Sequence, residues 1–216
     1  NPLLSENDVK EARKAVSRAL FAQEYECEWT TTEAQIYESL DEAKHVGEYV
    51  GERFSEVIAG LDVGYRDDNV FVVIGFDGRS YYIIDEYVSK ESTTSELAAR
   101  IQEKMDEWSI DTIYIDSAAQ QLKADFAYDY DIYCENAVKS VNDGINYVQV
   151  LIEQDNLFFD TLGSSHCFSA MSSYRWNPNT ETPKPVHDWT SHPCDAIRYA
   201  IYTHSKMSNI SIYAHG

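Results

Sequence analysis

The order of apolar segments along the chain predicts an α/β fold in which helices flank a mixed sheet. Three apolar strands come first, between residues 57 and 88, and tight turns such as "DGRS" join them as an antiparallel meander. Amphipathic helices and short apolar strands then alternate, which is typical of parallel strands joined by helical crossovers. The 216 residues, 44% of them hydrophobic, suffice for one substantial domain plus an appendage, or for two small domains.

The first 55 residues have a different character from the rest. Residues 5–25 place apolar side chains at helical spacing behind Ser5, a plausible cap, and a second, weaker helix is expected over residues 33–50. We therefore expect a helical segment over residues 1–55 and the main domain over residues 56–216.

After the meander, the spacing of apolar residues and the position of prolines predict the remaining helices, strands and loops. The helix over residues 94–108 places Leu97, Ile101, Met105 and Trp108 on one face. Residues 174–190 hold three of the five prolines and are expected to form an irregular loop or a hairpin. The other expected elements are strands at 111–116, 132–135 and 156–160, and helices at 117–129, 141–154, 164–174 and from near Pro193.

The charge of the chain limits how it can approach nucleic acid. A net charge of −20 argues against binding DNA through Lys and Arg alone. An acidic protein still handles phosphates if divalent cations cover its carboxylates.

No apolar run reaches the ~20 residues of a membrane span. The four cysteines are scattered without a C-x-x-C pair, which favours reduced thiols in a cytosolic protein.

Three aspartates occupy related places in the predicted fold. Asp62 lies near the end of the first strand of the meander, Asp116 ends the fourth strand, and Asp195 lies in the first turn of the last helix, where Pro193 fits the first helical position. If these two strands are neighbours, the carboxylates converge, and their mutual repulsion requires cations between them. Oxygen ligands suit Mg²⁺ or Mn²⁺, and a pair of such ions catalyses phosphodiester hydrolysis. Aspartates at strand ends are also common without function, so spacing alone leaves both interpretations open.

The residues around these aspartates carry a family resemblance. The segments "GLDVGYRDDNVFVVIGF", "IYIDSAAQQLKADF" and "SHPCDAIRYAI" resemble the three motifs of the nuclease domain of tailed-bacteriophage terminase large subunits, over residues 57–204. Residues 1–30 resemble the end of the ATPase domain and its linker in that family. Ser191 stands where the family usually has Asn, and "AAQQ" replaces an acidic "AEP".

The resemblance implies a ribonuclease H-like fold and a metal-dependent endonuclease that cuts concatemeric double-stranded viral DNA when packaging begins and ends. By position, Asp62, Asp116 and Asp195 match the metal-binding residues for two Mg²⁺ or Mn²⁺ ions, and His192 matches a histidine beside them. The implied partners are DNA, the ATPase domain of the same polypeptide, the portal protein and the small terminase subunit, in the host cytoplasm and without a membrane. We expect the isolated domain to be monomeric. Since no G-x-x-x-x-G-K-S/T motif occurs, we expect no ATPase site in this chain.

Several assignments stay open at this point. The domain has an alternative interpretation as a docking or regulatory module with little activity of its own, or as another ribonuclease H-like nuclease such as a junction resolvase. His192 is either a phosphate contact, an auxiliary metal ligand, a proton shuttle or a simple cap. Asp67 and Asp68 either shape a turn or approach a metal through water, and Lys139 either approaches the scissile phosphate or is solvated. Arg198 is expected to pair with a carboxylate one turn away, and the hairpin segment around Trp176 and Lys184 is a candidate DNA contact.

Overall fold

The computed structural model describes residues 13, 16–21, 35–64, 68–180 and 182–213, which form a sheet with helices on both faces. The strands are β1 (Val46–Gly47), β2 (Glu56–Asp62), β3 (Asp68–Phe76), β4 (Tyr81–Lys90), β5 (Thr112–Ile115), β6 (Cys134–Asn136) and β7 (Leu157–Asp160). The helices are α1 (Arg18–Phe21), α2 (Glu42–His45), α3 (Thr94–Trp108), α4 (Gln120–Asp129), α5 (Val141–Glu153), α6 (Ser165–Ser173) and α7 (Ser191–Tyr213).

The sheet is mixed, and its strand order is β1-β7-β4-β3-β2-β5-β6. The central strands β2, β3 and β4 form the predicted antiparallel meander. Strands β5 and β6 extend it on one side and β7 and β1 on the other, all in parallel pairings. The predicted α/β class with a meander plus parallel strands is confirmed.

The alternation of side chains along the strands divides the core into two layers. Ile58 and Val72 face the layer that α5, α6 and α7 cover. Leu61 and Phe71 face the opposite layer, under α3 and α4. A residue's position in its strand therefore decides which group of helices it meets.

Helix α7 lies unusually close to the central strand β2. A Cβ on Gly60 would lie 1.9 Å from the carbonyl oxygen of Ala196, so only glycine allows this approach. Near the other end of the helix, Nε2 of His204 lies 3.2 Å from Oε2 of Glu56, the first residue of β2. The helix therefore runs along the whole strand.

The predicted helix over residues 33–50 is largely wrong. Within the described residues 35–50, only α2 is helical, and Val46 follows it in an extended conformation to form β1 beside β7. The carboxylate of Asp41 caps the short helix by accepting from the amide of Ala43, and the buried Ile36 and Tyr37 join the core. Of the helix predicted over residues 5–25, the structure describes Arg13 and residues 16–21, where α1 lies; the remainder falls outside the described residues.

The last helix begins two residues before the predicted start, because Ser191 already has helical structure. Pro193 is therefore the third helical residue, where the amide has no partner inside the helix and proline is still tolerated. Asp195 lies just after the first turn instead of within it, so the helix dipole acts on it less than the sequence suggested. None of the helices in the part of the chain that the structure describes is long and apolar enough to span a membrane.

Candidate active site

Asp62 and Asp116 leave the sheet side by side. Strands β2 and β5 are parallel neighbours in which Leu61 is paired with Ile115. The residue that follows each of these two is an aspartate, so Asp62 and Asp116 lie next to each other. Alternation places both aspartates on the face that carries Ile58 and Tyr114, which is the face α7 covers. The expected adjacency of the two strands is confirmed.

Asp62 is held by the histidine at the start of α7. Nδ1 of His192 lies 2.6 Å from Oδ2 of Asp62, and a carboxylate oxygen only accepts, so the ring nitrogen donates. Both residues are almost completely buried, at 9% exposure for Asp62 and 8% for His192. The contact joins residues 130 positions apart in sequence and links the helix start to the strand end.

Asp195 pairs with Arg198, as helical spacing predicted. Nη2 of Arg198 donates to Oδ1 of Asp195 at 2.8 Å, and Nε donates to the same oxygen at 3.3 Å. Burial raises the pKa of the Asp195 carboxyl, the Arg198 charge opposes that rise, and the Asp62 charge adds to it. Asp62 and Asp195 are therefore close enough to repel each other.

Asp116 pairs with Lys139, the third basic side chain of the site, which lies in the loop between β6 and α5. Nζ of Lys139 lies 2.7 Å from Oδ1 of Asp116, and the amide of Ala118 donates to the same oxygen at 2.9 Å. Burial alone would raise the pKa of Asp116, but these two contacts outweigh it and lower the pKa. Both contacts to this one oxygen thus favour the ionised form of Asp116.

The charges of all three carboxylates act on the phenol of Tyr199. Burial raises its pKa first, and the charges of Asp62, Asp195 and Asp116 raise it further. The guanidinium carbon of Arg198 lies 4.7 Å from the centre of the Tyr199 ring. The three aspartates consequently share one region of the structure around this ring.

The three carboxylates are not arranged as one set of metal ligands in this structure. Over the described residues, no group of three or more His, Cys, Asp or Glu side chains is arranged to hold a metal ion. Instead, the repulsion anticipated from the sequence is offset by one basic side chain per aspartate. Each carboxylate keeps one oxygen that accepts no hydrogen bond from any described residue, so the donor set still fits oxygen-seeking cations.

An open groove of about 460 Å³ leads to Asp195. One wall is the start of α5, with Ser140 and Asn142, and the other holds Lys184 and His187. This second wall is a hairpin, since the amide of Asn177 donates to the carbonyl of Lys184 and the amide of Val186 to that of Arg175. The hairpin interpretation of the proline-rich segment is confirmed, and it places Lys184 beside the groove.

The remaining candidates have separate positions. Asp68 forms an ion pair with Lys90, with 3.6 Å between Oδ1 and Nζ, at the start of β3. Asp67 lies outside the described residues. Sequence reasoning missed Gly144 in α5, where a Cβ would lie 2.7 Å from Cγ of Arg198; the glycine thereby makes room for the side chain that holds Asp195. Its only sequence signal was a glycine inside a helical pattern.

Known proteins share this fold and part of this sequence. A profile of the family described as "Terminase RNaseH-like domain" matches residues 59–203. The large terminase subunit of Escherichia phage T5 is 38% identical over 95% of this chain, and the chain spans about half of that protein, 50% of its length. The structure of the large terminase from the thermophilic bacteriophage D6E superimposes with a TM-score of 0.81 at 20% identity, over 96% of this chain and 53% of that one. The nuclease domain of the large terminase from bacteriophage SPP1, with bound Mn, gives a TM-score of 0.60 at 23% identity, over 77% and 97% of the two chains.

Proposed function

Because the chain belongs to the terminase RNaseH-like domain family, we propose that it is a metal-dependent endonuclease that cuts concatemeric double-stranded viral DNA at the initiation and termination of packaging. What supports the proposal is the pairing of Asp62, Asp116 and Asp195 with one basic side chain each, where β2 and β5 end beside the start of α7. The manganese bound to the SPP1 nuclease domain supports a divalent cation as the cofactor.

Asp62, Asp116 and Asp195 would hold two Mg²⁺ or Mn²⁺ ions through carboxylate oxygens. Bound there, such cations supply a Lewis acid that activates water and stabilises the leaving oxygen of a phosphodiester. His192 orients Asp62 through the 2.6 Å contact, and Arg198 orients Asp195. These two bases are buried, so they position ligands instead of reaching for DNA.

The groove beside Asp195 is the proposed path of the DNA strand. It offers Lys184, His187 and the first turn of α5, whose amides carry the positive end of the helix dipole. With a net charge of −20, the domain otherwise repels phosphates, so weak and salt-sensitive binding is expected. In the packaging motor, the ATPase domain of the same polypeptide, the portal protein and the small subunit would bring DNA to the site, in the host cytoplasm.

A plasmid-nicking assay with a metal titration tests the proposal. Wild-type protein should nick supercoiled DNA in millimolar Mn²⁺ or Mg²⁺ and stop when EDTA is added. Asp62→Ala and Asp195→Ala should each lower the rate by at least about 100-fold, the scale of losing an electrostatic catalytic contact. Circular dichroism should show that both variants remain folded.

A matched control separates the site from general acidity. Asp106 is an exposed aspartate of α3, a helix that covers the opposite face of the sheet, so Asp106→Ala should nick like wild type. Wild-type cleavage that persists in EDTA, or Asp62→Ala cleavage at the wild-type rate, would refute the metal assignment. A wild-type domain that binds Mn²⁺ and DNA without cutting would instead favour the docking role.

A further inference from the structure

The three basic partners of the aspartates differ in their freedom to move. His192 and Arg198 belong to α7 and are buried, at 8% and 2% exposure. The Lys139 side chain is 52% exposed and comes from the loop that precedes α5. A cation that arrives from solvent therefore meets two buried basic side chains, His192 and Arg198, and one exposed basic side chain, Lys139, which is free to move.

Lys139 interacts with Asp116 as a point charge. Its Nζ lies 2.7 Å from Oδ1 of Asp116, the oxygen that also accepts from the amide of Ala118. An ammonium on a flexible four-carbon stem neutralises a carboxylate without a fixed pair of donors, unlike the Arg198 guanidinium, which donates twice to one oxygen of Asp195. The ammonium would repel a second cation that approached this oxygen of Asp116.

We propose that Lys139 is an internal counter-ion of Asp116 that competes with divalent cations, so that it sets the cation affinity of the site. The inference rests on the proposed function and makes Lys139 a positioning residue. In the metal-free protein it keeps Asp116 neutralised and in place beside Asp62. When a divalent cation binds, the ammonium must leave Oδ1 or be repelled there, and either event weakens cation binding.

Mn²⁺ titrations followed by electron paramagnetic resonance of the free ion test this without reference to activity. Lys139→Gln should bind Mn²⁺ roughly fivefold more tightly than wild type, the factor that corresponds to one exposed ion pair. Lys139→Arg keeps the charge and should stay near the wild-type affinity. Unchanged or weaker binding by Lys139→Gln would overturn the inference.

Lys123 provides a matched control for net charge. Its Nζ donates to Oδ1 of Asn136 at 2.7 Å, at the same edge of the sheet, and its partner is an amide. Lys123→Gln should leave the Mn²⁺ affinity unchanged. An equal gain in affinity for Lys123→Gln would mean that any lost positive charge has this effect, and the specific role of Lys139 would fall.

A metal-free measurement tests the pair itself. In EDTA, melting temperatures of Lys139→Gln, Asp116→Asn and the double variant should be non-additive, because either single change already breaks the pair. Additive shifts would overturn the inference. A wild-type protein that binds no Mn²⁺ would overturn both this inference and the proposed function, whereas wild-type binding and nicking with no effect of Lys139→Gln would overturn the inference alone.

Discussion

Replacing Gly144 by alanine tests whether packing against Arg198 positions the active site. In an unobstructed helix interior, glycine to alanine stabilises a protein by about 1 kcal/mol. At Gly144 the new methyl group would lie 2.7 Å from Cγ and 2.8 Å from Cδ of Arg198, whereas carbon atoms prefer about 3.5–4.0 Å. Arg198 is 2% exposed and tied to Asp195 by two hydrogen bonds, so it has little room to retreat.

The structure therefore predicts the sign of the change as well as its size. Overpacking a buried site costs about 1–3 kcal/mol. Because Arg198 has little room to retreat, we expect the upper part of that range, about 2–3 kcal/mol, which exceeds the gain of about 1 kcal/mol in helix propensity. Gly144→Ala should lower the free energy of unfolding by about 1–2 kcal/mol in urea titrations with an unchanged m-value. Mn²⁺-dependent nicking should fall as well, because a displaced guanidinium no longer orients Asp195.

Asn142→Ala in the same helix is the control for stability alone, since Asn142 is exposed but lines the proposed DNA groove. It gains helix propensity without a clash and should be stabilised by up to about 0.7 kcal/mol. A Gly144→Ala protein about 1 kcal/mol more stable than wild type, with full nicking activity, would refute the packing argument.

Further changes test other parts of the fold. Gly60→Ala should destabilise by about 3 kcal/mol or more in urea titrations, since its Cβ would meet the Ala196 carbonyl oxygen at 1.9 Å and only movement of α7 relieves the clash. For Asp160, burial raises the pKa, but hydrogen bonds from the amides of Tyr49, Gly163, Leu162 and Val50 outweigh it and lower the pKa. The ionised carboxylate therefore stabilises the fold above the ordinary carboxyl pKa, and this stabilisation is lost as the pH falls through the lowered pKa of Asp160. Asp160→Asn should lower the free energy of unfolding by about 1–3 kcal/mol at pH 7 and by less near pH 3. An equal loss at both pH values would contradict this. Burial raises the pKa of the Cys167 and Cys194 thiols well above the usual value, so iodoacetamide at pH 8 should label both, by mass spectrometry, only after unfolding.

Local sequence signals predicted those parts of the fold that local interactions hold. The bounds of α3 were predicted from the amphipathic run over residues 94–108, and the structure adds a capping box of Thr93 and Glu96 at its start. The Asp195–Arg198 pair followed from its i, i+3 spacing within one helix. In both cases the partners lie within one turn of each other in sequence.

The elements that could not be predicted depend on distant partners. Strand β1 is only two residues long and exists because β7, more than 100 residues later, pairs with it. The same applies to Lys139 and Asp116, which meet only because β5 and β6 are neighbours in the sheet. Spacing in the sequence indicated where carboxylates gather and which base pairs with Asp195, but it gave no information about the distant partners of Asp62 and Asp116.

The alignment of α7 with β2 predicts that the site can lose a carboxylate without a change in the position of the helix. Between His192 and His204 the helix rises about 18 Å, at about 1.5 Å per residue. Between Asp62 and Glu56 the strand extends about 20 Å, at about 3.3 Å per residue, so the two elements match in length and their ends meet in pairs. The close approach at Gly60 lies between these ends and does not involve a charge. Since this contact and the apolar layer of α7 set the position of the helix, Asp62→Ala should remove a ligand without moving Asp195, whereas Gly60→Ala should displace His192 and Asp195 together.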